Sequence, residues 1–523
     1  MNQQKKKKKK FSLGILDRIE RIGNKLPDPV VLFMLFALII IVVSHFAAST
    51  GLSATYESIN PSTQELGSVT VEAVSLMTPA GLQYMVESAV TNFTSFAPLG
   101  TVLVALLGVG IAETSGLISV LLRRAVLVAP KALLSAMVVF LGIMANIASD
   151  AGYVVLVPLG AIIFLSFGRH PLAGIAAAFA GVSGGFSANL LLSPTDPLLA
   201  GISQQAAEMI NPAYQVNIAG NWFFLIVSTF IITIVGALIT DKIVEPRLGK
   251  YKGAREDSTE IEITPIEKKG LRWAGIAFFI FLALVVFLGW PGNALNPFTD
   301  ANPTADILKS PLMNGIVLLI ALFFAVPGVF YGFVTKAFKS DKDVVKAMAK
   351  SMSTMGGYLV LVFFAAQFIA YFNYTNLGTL LAVNGATLLQ NIGMTGPALM
   401  IGFIVVSAII NIFIGSASAK WAIMAPIFVP MFMALSISPE ATQMAFRIGD
   451  SVTNIISPLM SYFAIVIAFS QKYDVEGEPS TGIGTLISMM LPYSMAFMLF
   501  WSVIFFIWFS LNFPLGPGTF PML

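Results

Sequence analysis

The stretch INIFIGSASAKWAIMAP, residues 410–426, interrupts a long apolar run with Gly415, Ser416, Ala417, Ser418, Ala419 and Lys420, and then resumes it. A helix in lipid satisfies its backbone internally. Bare backbone at that depth is tolerated only where protein or a water-filled cavity covers it. A lysine at the bilayer centre costs about 2.5–3.5 kcal/mol on insertion scales. Break and lysine together point to a site that needs polar groups inside the membrane.

The rest of the chain supports that setting. Of 523 residues, 56% are hydrophobic and 11% charged, against about a quarter charged in soluble domains; mean hydropathy is +0.83. Residues 221–240, 273–290, 312–335 and 481–511 hold no Asp, Glu, Lys or Arg. About 20 apolar residues of helix cross a bilayer, and runs this solid are not the alternating strands of a barrel. The fold class is therefore an all-α membrane protein. There is no cysteine, and His45 and His170 lie far apart, so thiol chemistry and a zinc site are not expected. The apolar run at 30–48 is too long for a cleavable signal peptide and has no small-residue cleavage signal. Absence of GxxxxGK[ST], HExxH and GxSxG argues against ATP coupling and against a hydrolase; the chain reads as no enzyme.

Lysine and arginine set the topology. Lys5 to Lys10 form a basic cytoplasmic tail that can touch anionic lipid; nucleic acid is not expected as a partner. The loop at 49–80 has no Lys or Arg and reads as outside; Arg123, Arg124, Lys131 and Arg169 read as inside. The loop at 241–272 has eight basic residues and is also inside. Lys342, Lys346 and Lys350, at i, i+4 spacing, predict an amphipathic helix on the inner face. Threading these constraints predicts nine spans, near 30–48, 98–115, 172–207, 221–240, 271–290, 312–335, 354–373, 441–470 and 481–510. The N-terminus is then cytoplasmic and the C-terminus extracytoplasmic, in the inner (plasma) membrane. Two segments leave one face and return to it, 132–168 and 396–437, and read as re-entrant hairpins. The chain divides into a tail (1–26), a first half (27–240), a charged loop (241–270) and a second half (271–523).

The hairpins belong to a repeat. Asn146 and Asn189 have the same separation as Asn411 and Asn454, with an offset of 265 residues between the pairs. GGFSANLLLSP (184–194) lies over GDSVTNIISPL (449–459), each with a glycine, an asparagine and a following Ser-Pro. One hairpin enters from inside and the other from outside, the inverted plan of many secondary transporters, in which broken helices meet near the midplane. Freed carbonyls and asparagines suit a cation, and freed amides suit an anion.

The polar residues at the breaks have alternative readings. Asn146, Ser149 and Asp150, at the first tip, are candidates for cation binding or proton coupling, with a water-facing cap as the alternative for Asp150. Asn189 and Asn454 cap broken ends or ligate an ion. Sodium is the candidate metal, at Asn146, Asn189, Asn411 and Asn454. Asp196 caps a half-helix or lines the pathway. Arg447 and Asp450, at i, i+3, either pair with each other or leave Arg447 partly free for a substrate carboxylate. Ser416 and Ser418 allow close helix packing or offer hydroxyls to a ligand. Trp421 anchors at an interface or presents an aromatic face to a cavity, and Lys420 reaches an aqueous vestibule or a carboxylate.

FAPLGTVLVALLGVGIAETSGLIS (96–119), GRHPLAGIAAAFAGVSGGFSANLLLSPTDPLLAGI (168–202), GSASAKWAIMAPIFVPM (415–431) and RIGDSVTNIISPLMSYF (447–463) strongly resemble the AbgT family, the p-aminobenzoyl-glutamate transporters. The resemblance covers nearly the whole chain. It implies a homodimer of nine-helix protomers with two opposed hairpins. It also implies import of p-aminobenzoyl-glutamate or export of p-aminobenzoate-like antimetabolites, including sulfonamides, driven by a proton or sodium gradient without other cofactors. Import of another small aromatic or dipeptide-like carboxylate is the alternative; a channel or an intramembrane hydrolase fits less well. The functional positions that carry over are Asp196, Asn411, Ser418, Trp421, Pro439, Arg447, Asp450 and Pro458. Lys420 stands where some relatives have glutamine, so the resemblance assigns it no role. In the binding mode expected from these residues, Trp421 stacks on the substrate ring, Arg447 pairs with a carboxylate, and Lys420 adds a second positive charge.

Overall fold

The computed structural model describes residues 29–523 apart from 60–65, 128–129, 131–132, 149–150, 254–262, 298–309, 392, 459, 461 and 476–479. The lysine tail, Lys131, Ser149 and Asp150, all given roles above, lie outside the described residues.

Apolar runs become helices wherever they are long. α1 (Pro29–Ser49) is followed by an antiparallel hairpin of β1 (Ser53–Ile59) and β2 (Leu66–Glu72), then by short helices Pro79–Glu87 and Ala89–Thr94. α2 (Ala97–Thr114) and α3 (Leu117–Leu127) follow. α4 (Leu134–Ala145) and α5 (Ala151–Ser166) lie where the first hairpin is expected. α6 (Pro171–Phe179) runs on as a wider π turn, Ala180–Gly184, and stops; α7 (Thr195–Ala207) starts beyond the gap. α8 (Trp222–Ile239) continues through Thr240–Val244 into Glu245–Leu248, so the start of the predicted charged loop is helical. α9 (Pro265–Leu288), α10 (Ile316–Thr335), α11 (Asp341–Ser353), α12 (Gly356–Tyr374) and α13 (Leu377–Asn391) come next. α14 (Gly396–Asn411) and α15 (Ala417–Met433) flank the second break. α16 (Pro439–Asn454) and α17 (Phe463–Gln471) split the segment expected as one span at 441–470, and α18 (Ile483–Ser510) is the longest helix.

Six of these are long and apolar enough to cross a membrane. The number is up to eight if two bent pairs, one formed by α2 with α3 and one by α13 with α14, each count as a span. The expected spans 172–207 and 441–470 are each two helices around a break. The sequence reading assigned neither α13 nor the two strands to any element.

Ion pairs gather the segments read as lying on one face. Arg123 on α3 reaches Glu267 on α9 at 2.6 Å. Arg169, in the turn between α5 and α6, pairs with Asp241 and Glu245 at the end of α8. Segments read as lying on the other face meet as well. Asn217 Nδ2 donates to the Pro517 carbonyl at 2.9 Å, and the Leu523 amide to the Ser436 carbonyl at 2.9 Å. α11 is amphipathic as expected: Ala347 is buried, and Lys342, Lys346 and Lys350 are exposed. A capping box formed by Ser340 and Asp343 starts it.

Small residues set the closest approaches. A Cβ at Gly174 on α6 would lie 2.1 Å from the Gly160 carbonyl oxygen on α5. α5 therefore packs on α6 through bare backbone. Gly174→Leu should lower the thermal unfolding midpoint in detergent by several degrees, since overpacking costs about 1–3 kcal/mol. Gly100→Ala, where a Cβ meets nothing within 4 Å, should leave it unchanged; equal midpoints for the two variants would refute the close contact.

Candidate functional site

All sixteen residues of α16 are buried, yet the helix carries Glu440, Gln443, Arg447, Asp450, Ser451, Thr453 and Asn454. Glu440, Gln443, Arg447, Asp450 and Asn454 recur at three- and four-residue steps, which puts them on one stripe. Buried polar groups have to find partners, and this stripe takes its partners from both halves of the chain.

At the N-terminal end, Ser438 caps the helix by accepting the Ala441 amide, and Pro439 is the first helical residue, where its missing N–H costs nothing. Tyr214 donates to Glu440 Oε2 at 2.9 Å, and the Asn217 amide to Oε1 at 3.0 Å. Gln443 Nε2 donates to Ser203 Oγ on α7 at 3.0 Å, and Asn221 donates to Gln443 Oε1 at 2.9 Å.

Arg447 and Asp450 do not pair with each other, contrary to one of the two readings above. Arg447 Nη1 donates to Asp196 Oδ1 on α7 at 2.6 Å, and both side chains are buried. The other oxygen of Asp196 accepts the Ser193 amide at 2.6 Å and its hydroxyl at 3.0 Å. Asp196 thus fixes the start of α7, one of the two roles the sequence reading held open, and also neutralises Arg447, a pairing that reading did not contain. Arg447 Nε is buried without a partner. Asp450 forms its ion pair with Lys420, the first-turn lysine of α15. Lys420 is therefore directed at a carboxylate rather than at an aqueous vestibule, and it is fully buried.

Trp421 is fully buried as well. Its Nε1 donates to Ser203 Oγ at 3.0 Å, and its ring stacks on Phe446 with centroids 4.6 Å apart. In this conformation the ring face expected for a ligand is covered by Phe446. Ser416 caps α15, and its Oγ lies 3.3 Å from that of Ser418. Both serines line a 490 Å³ cavity with Pro29, Tyr358 and Leu361, whereas Trp421, Arg447 and Asp196 are buried and do not line it. Pro458 follows α16 in a half-buried turn.

In each half the two asparagines come close together, although Asn454 ends a helix and Asn189 lies in a gap. Asn411 ends α14, and its Nδ2 donates to Asn454 Oδ1 at 2.9 Å, to Thr453 Oγ1 at 2.9 Å and to the Asp450 carbonyl at 2.6 Å. Asn146 and Asn189 both donate to the Ile143 carbonyl, at 3.2 and 3.4 Å. Thr453 donates to the carbonyl of Ala408, which stands 265 positions after Ile143. Contacts also cross between the halves: the Ser187 amide donates to Ser451 Oγ at 3.1 Å, and Tyr153 stacks on Tyr462 at 4.4 Å. The sequence reading missed Ser203, Asn221, Glu440, Gln443 and Thr453. The three- and four-residue spacing of polar residues along 440–454 was the signal for those on α16.

The sequence profile of the AbgT putative transporter family matches residues 14–523. The p-aminobenzoyl-glutamate transport protein of Escherichia coli (strain K12) is 38% identical over 507 residues, covering 97% of this chain and 96% of that protein. The fold is similar to that of Neisseria gonorrhoeae MtrF, described as illuminating a class of antimetabolite efflux pumps, with a TM-score of 0.89 and 50% identity over 97% of this chain and all (100%) of that one. It is also similar to the Alcanivorax borkumensis YdaH transporter, described as having an unusual topology, with a TM-score of 0.85 and 45% identity over 94% of this chain and 100% of that one. With a profile match across nearly its full length, and with this buried polar helix joining its halves, the chain belongs to the AbgT family of transporters.

Proposed function

We propose that this chain is an ion-coupled secondary transporter of p-aminobenzoyl-glutamate or related p-aminobenzoate-like compounds, with sulfonamide antimetabolites among its export substrates. The observation that carries the proposal is Arg447, a buried guanidinium already held by Asp196 with Nε still unpaired. A planar donor fork of this kind suits a carboxylate. The substrate of the Escherichia coli relative and the description of MtrF supply the ligand class.

In the proposed mechanism a substrate carboxylate takes the free edge of Arg447. Trp421 leaves Phe446 for the aromatic ring, and the hydroxyls of Ser416 and Ser418 line the approach. The hairpins 132–168 and 396–437, entering from opposite faces, form the moving walls around this centre. Because contacts between the halves are polar and specific, they can be exchanged between two discrete arrangements, as alternating access requires. Ion coupling enters through the asparagines and carboxylates at the breaks. The full arrangement, with nine spans and an inverted repeat, belongs to the same proposal.

In proteoliposomes, an imposed sodium or proton gradient should drive labelled p-aminobenzoyl-glutamate or a sulfonamide. Flux of neither compound under either gradient would overturn the coupled assignment. Arg447→Lys keeps a positive charge facing Asp196 and removes the Nε donor. It should weaken binding of p-aminobenzoyl-glutamate about tenfold or more, since a hydrogen bond to a charged group is worth about 1.5–3 kcal/mol. Neutral sulfonamides should be affected less; equal losses would exclude Arg447 as the carboxylate partner.

A further inference from the structure

The second break collects oxygens that suit a small cation, and it already contains a positive charge. Asn411 is the last residue of α14 and Asn454 the last of α16, so the C-terminal ends of two helices meet there. Each such end carries partial negative charge from the helix dipole. The Asn411 amide is fixed in orientation, because its Nδ2 is taken by Asp450 O, Thr453 Oγ1 and Asn454 Oδ1. Its Oδ1 accepts Lys420 Nζ. The same Nζ lies against the Asp450 carboxylate. An amide oxygen and a carboxylate oxygen at two helix ends are the ligands a bound monovalent cation would take, and all three side chains are buried.

The first half provides an internal comparison. Asn146 corresponds to Asn411, and its Oδ1 is buried with no partner. The residue 265 positions before Lys420 is Val155, and the one before Asp450 is Gly185. The two halves thus offer the same amide oxygen. It is filled by an ammonium in one half and open in the other.

We propose that Lys420 is a tethered cation: its ammonium occupies the monovalent-cation site of the second half, so this chain takes no free sodium there. The first-half oxygen of Asn146 is then the one left for a mobile ion. This inference rests on the ion-coupled reading for its meaning in transport. The occupancy itself can be measured without any flux.

The experiment is thermal unfolding of the purified full chain in detergent, in sodium, potassium and choline chloride at matched ionic strength. Lys420→Gln removes the ammonium and leaves an amide oxygen among the existing ligands. Its unfolding midpoint should rise by several degrees in sodium relative to choline, and adding Asn454→Ala should abolish that rise. A folded Lys420→Gln protein that ignores sodium would overturn the proposal. The wild type decides the matter even where the variant does not fold. A wild-type sodium response that is lost with Asn146→Ala but not with Asn454→Ala supports a tethered cation, and a sodium-insensitive wild type overturns the assignment of the mobile ion to Asn146. A wild-type sodium response abolished by Asn454→Ala overturns it. Loss of transport in the gradient assay would leave each of these outcomes readable.

Discussion

The structure depends on one constraint: a polar helix placed at the centre of an apolar molecule has to have its groups met. α16 has no exposed residue. Glu440 is met by Tyr214 and Asn217, Gln443 by Ser203 and Asn221, Arg447 by Asp196, and Asp450 by Lys420. Most of these partners come from the first half, some 220 to 250 residues away, so the helix acts as the joint between the two halves. Removing one partner of a buried ion pair costs about 3–5 kcal/mol, because a charge is left uncompensated. Any movement of one half against the other therefore has to exchange partners rather than simply separate them.

The breaks are the other half of that arrangement. An unbroken helix hides its carbonyls and amides; a break releases them. The gaps at 185–194 and 412–416 both touch α16 or the turn after it: the Ser187 amide donates to Ser451 Oγ, and Ser457 Oγ to the Ile412 carbonyl. Asp196 ties the edge of the first gap to α16, and Lys420 does the same from the edge of the second. Each break is anchored to the same helix through one charged residue, four residues or fewer from a helix start. This gives α16 a direct link to the edge of both breaks.

Much of this was legible in the sequence, and the exceptions have physical causes. Long uncharged runs mark helices plainly, because the bilayer admits little else. The breaks were visible as Asn, Ser and Pro in apolar surroundings. α13 was missed because LGTLLAVNGATLLQN mixes Gly, Thr and Asn into an apolar run too short to read as a span. The strand pair was missed because its loop was read for charge alone, although SVTVE alternates. The partnership of Arg447 was illegible for a deeper reason. Spacing of i, i+3 permits a pair with Asp450, but long-range packing brought Asp196 and Lys420 closer to each residue's charge. Local spacing states what is possible, and tertiary contact chooses among the possibilities.

The charges at this centre cancel. Asp196 and Asp450 supply two negative charges, and Arg447 and Lys420 supply two positive ones. A carboxylated substrate entering here finds no net positive charge waiting, and Lys420 is committed to Asp450 rather than spare for a second carboxylate. On the proposed function such a substrate shares Arg447 with Asp196 through the free Nε edge, and the site then carries net negative charge unless a positive charge enters with the ligand. A neutral sulfonamide needs neither. On the proposed function, the charge balance of the core, more than the shape of any pocket, sets apart the compounds whose movement would need a coupled ion.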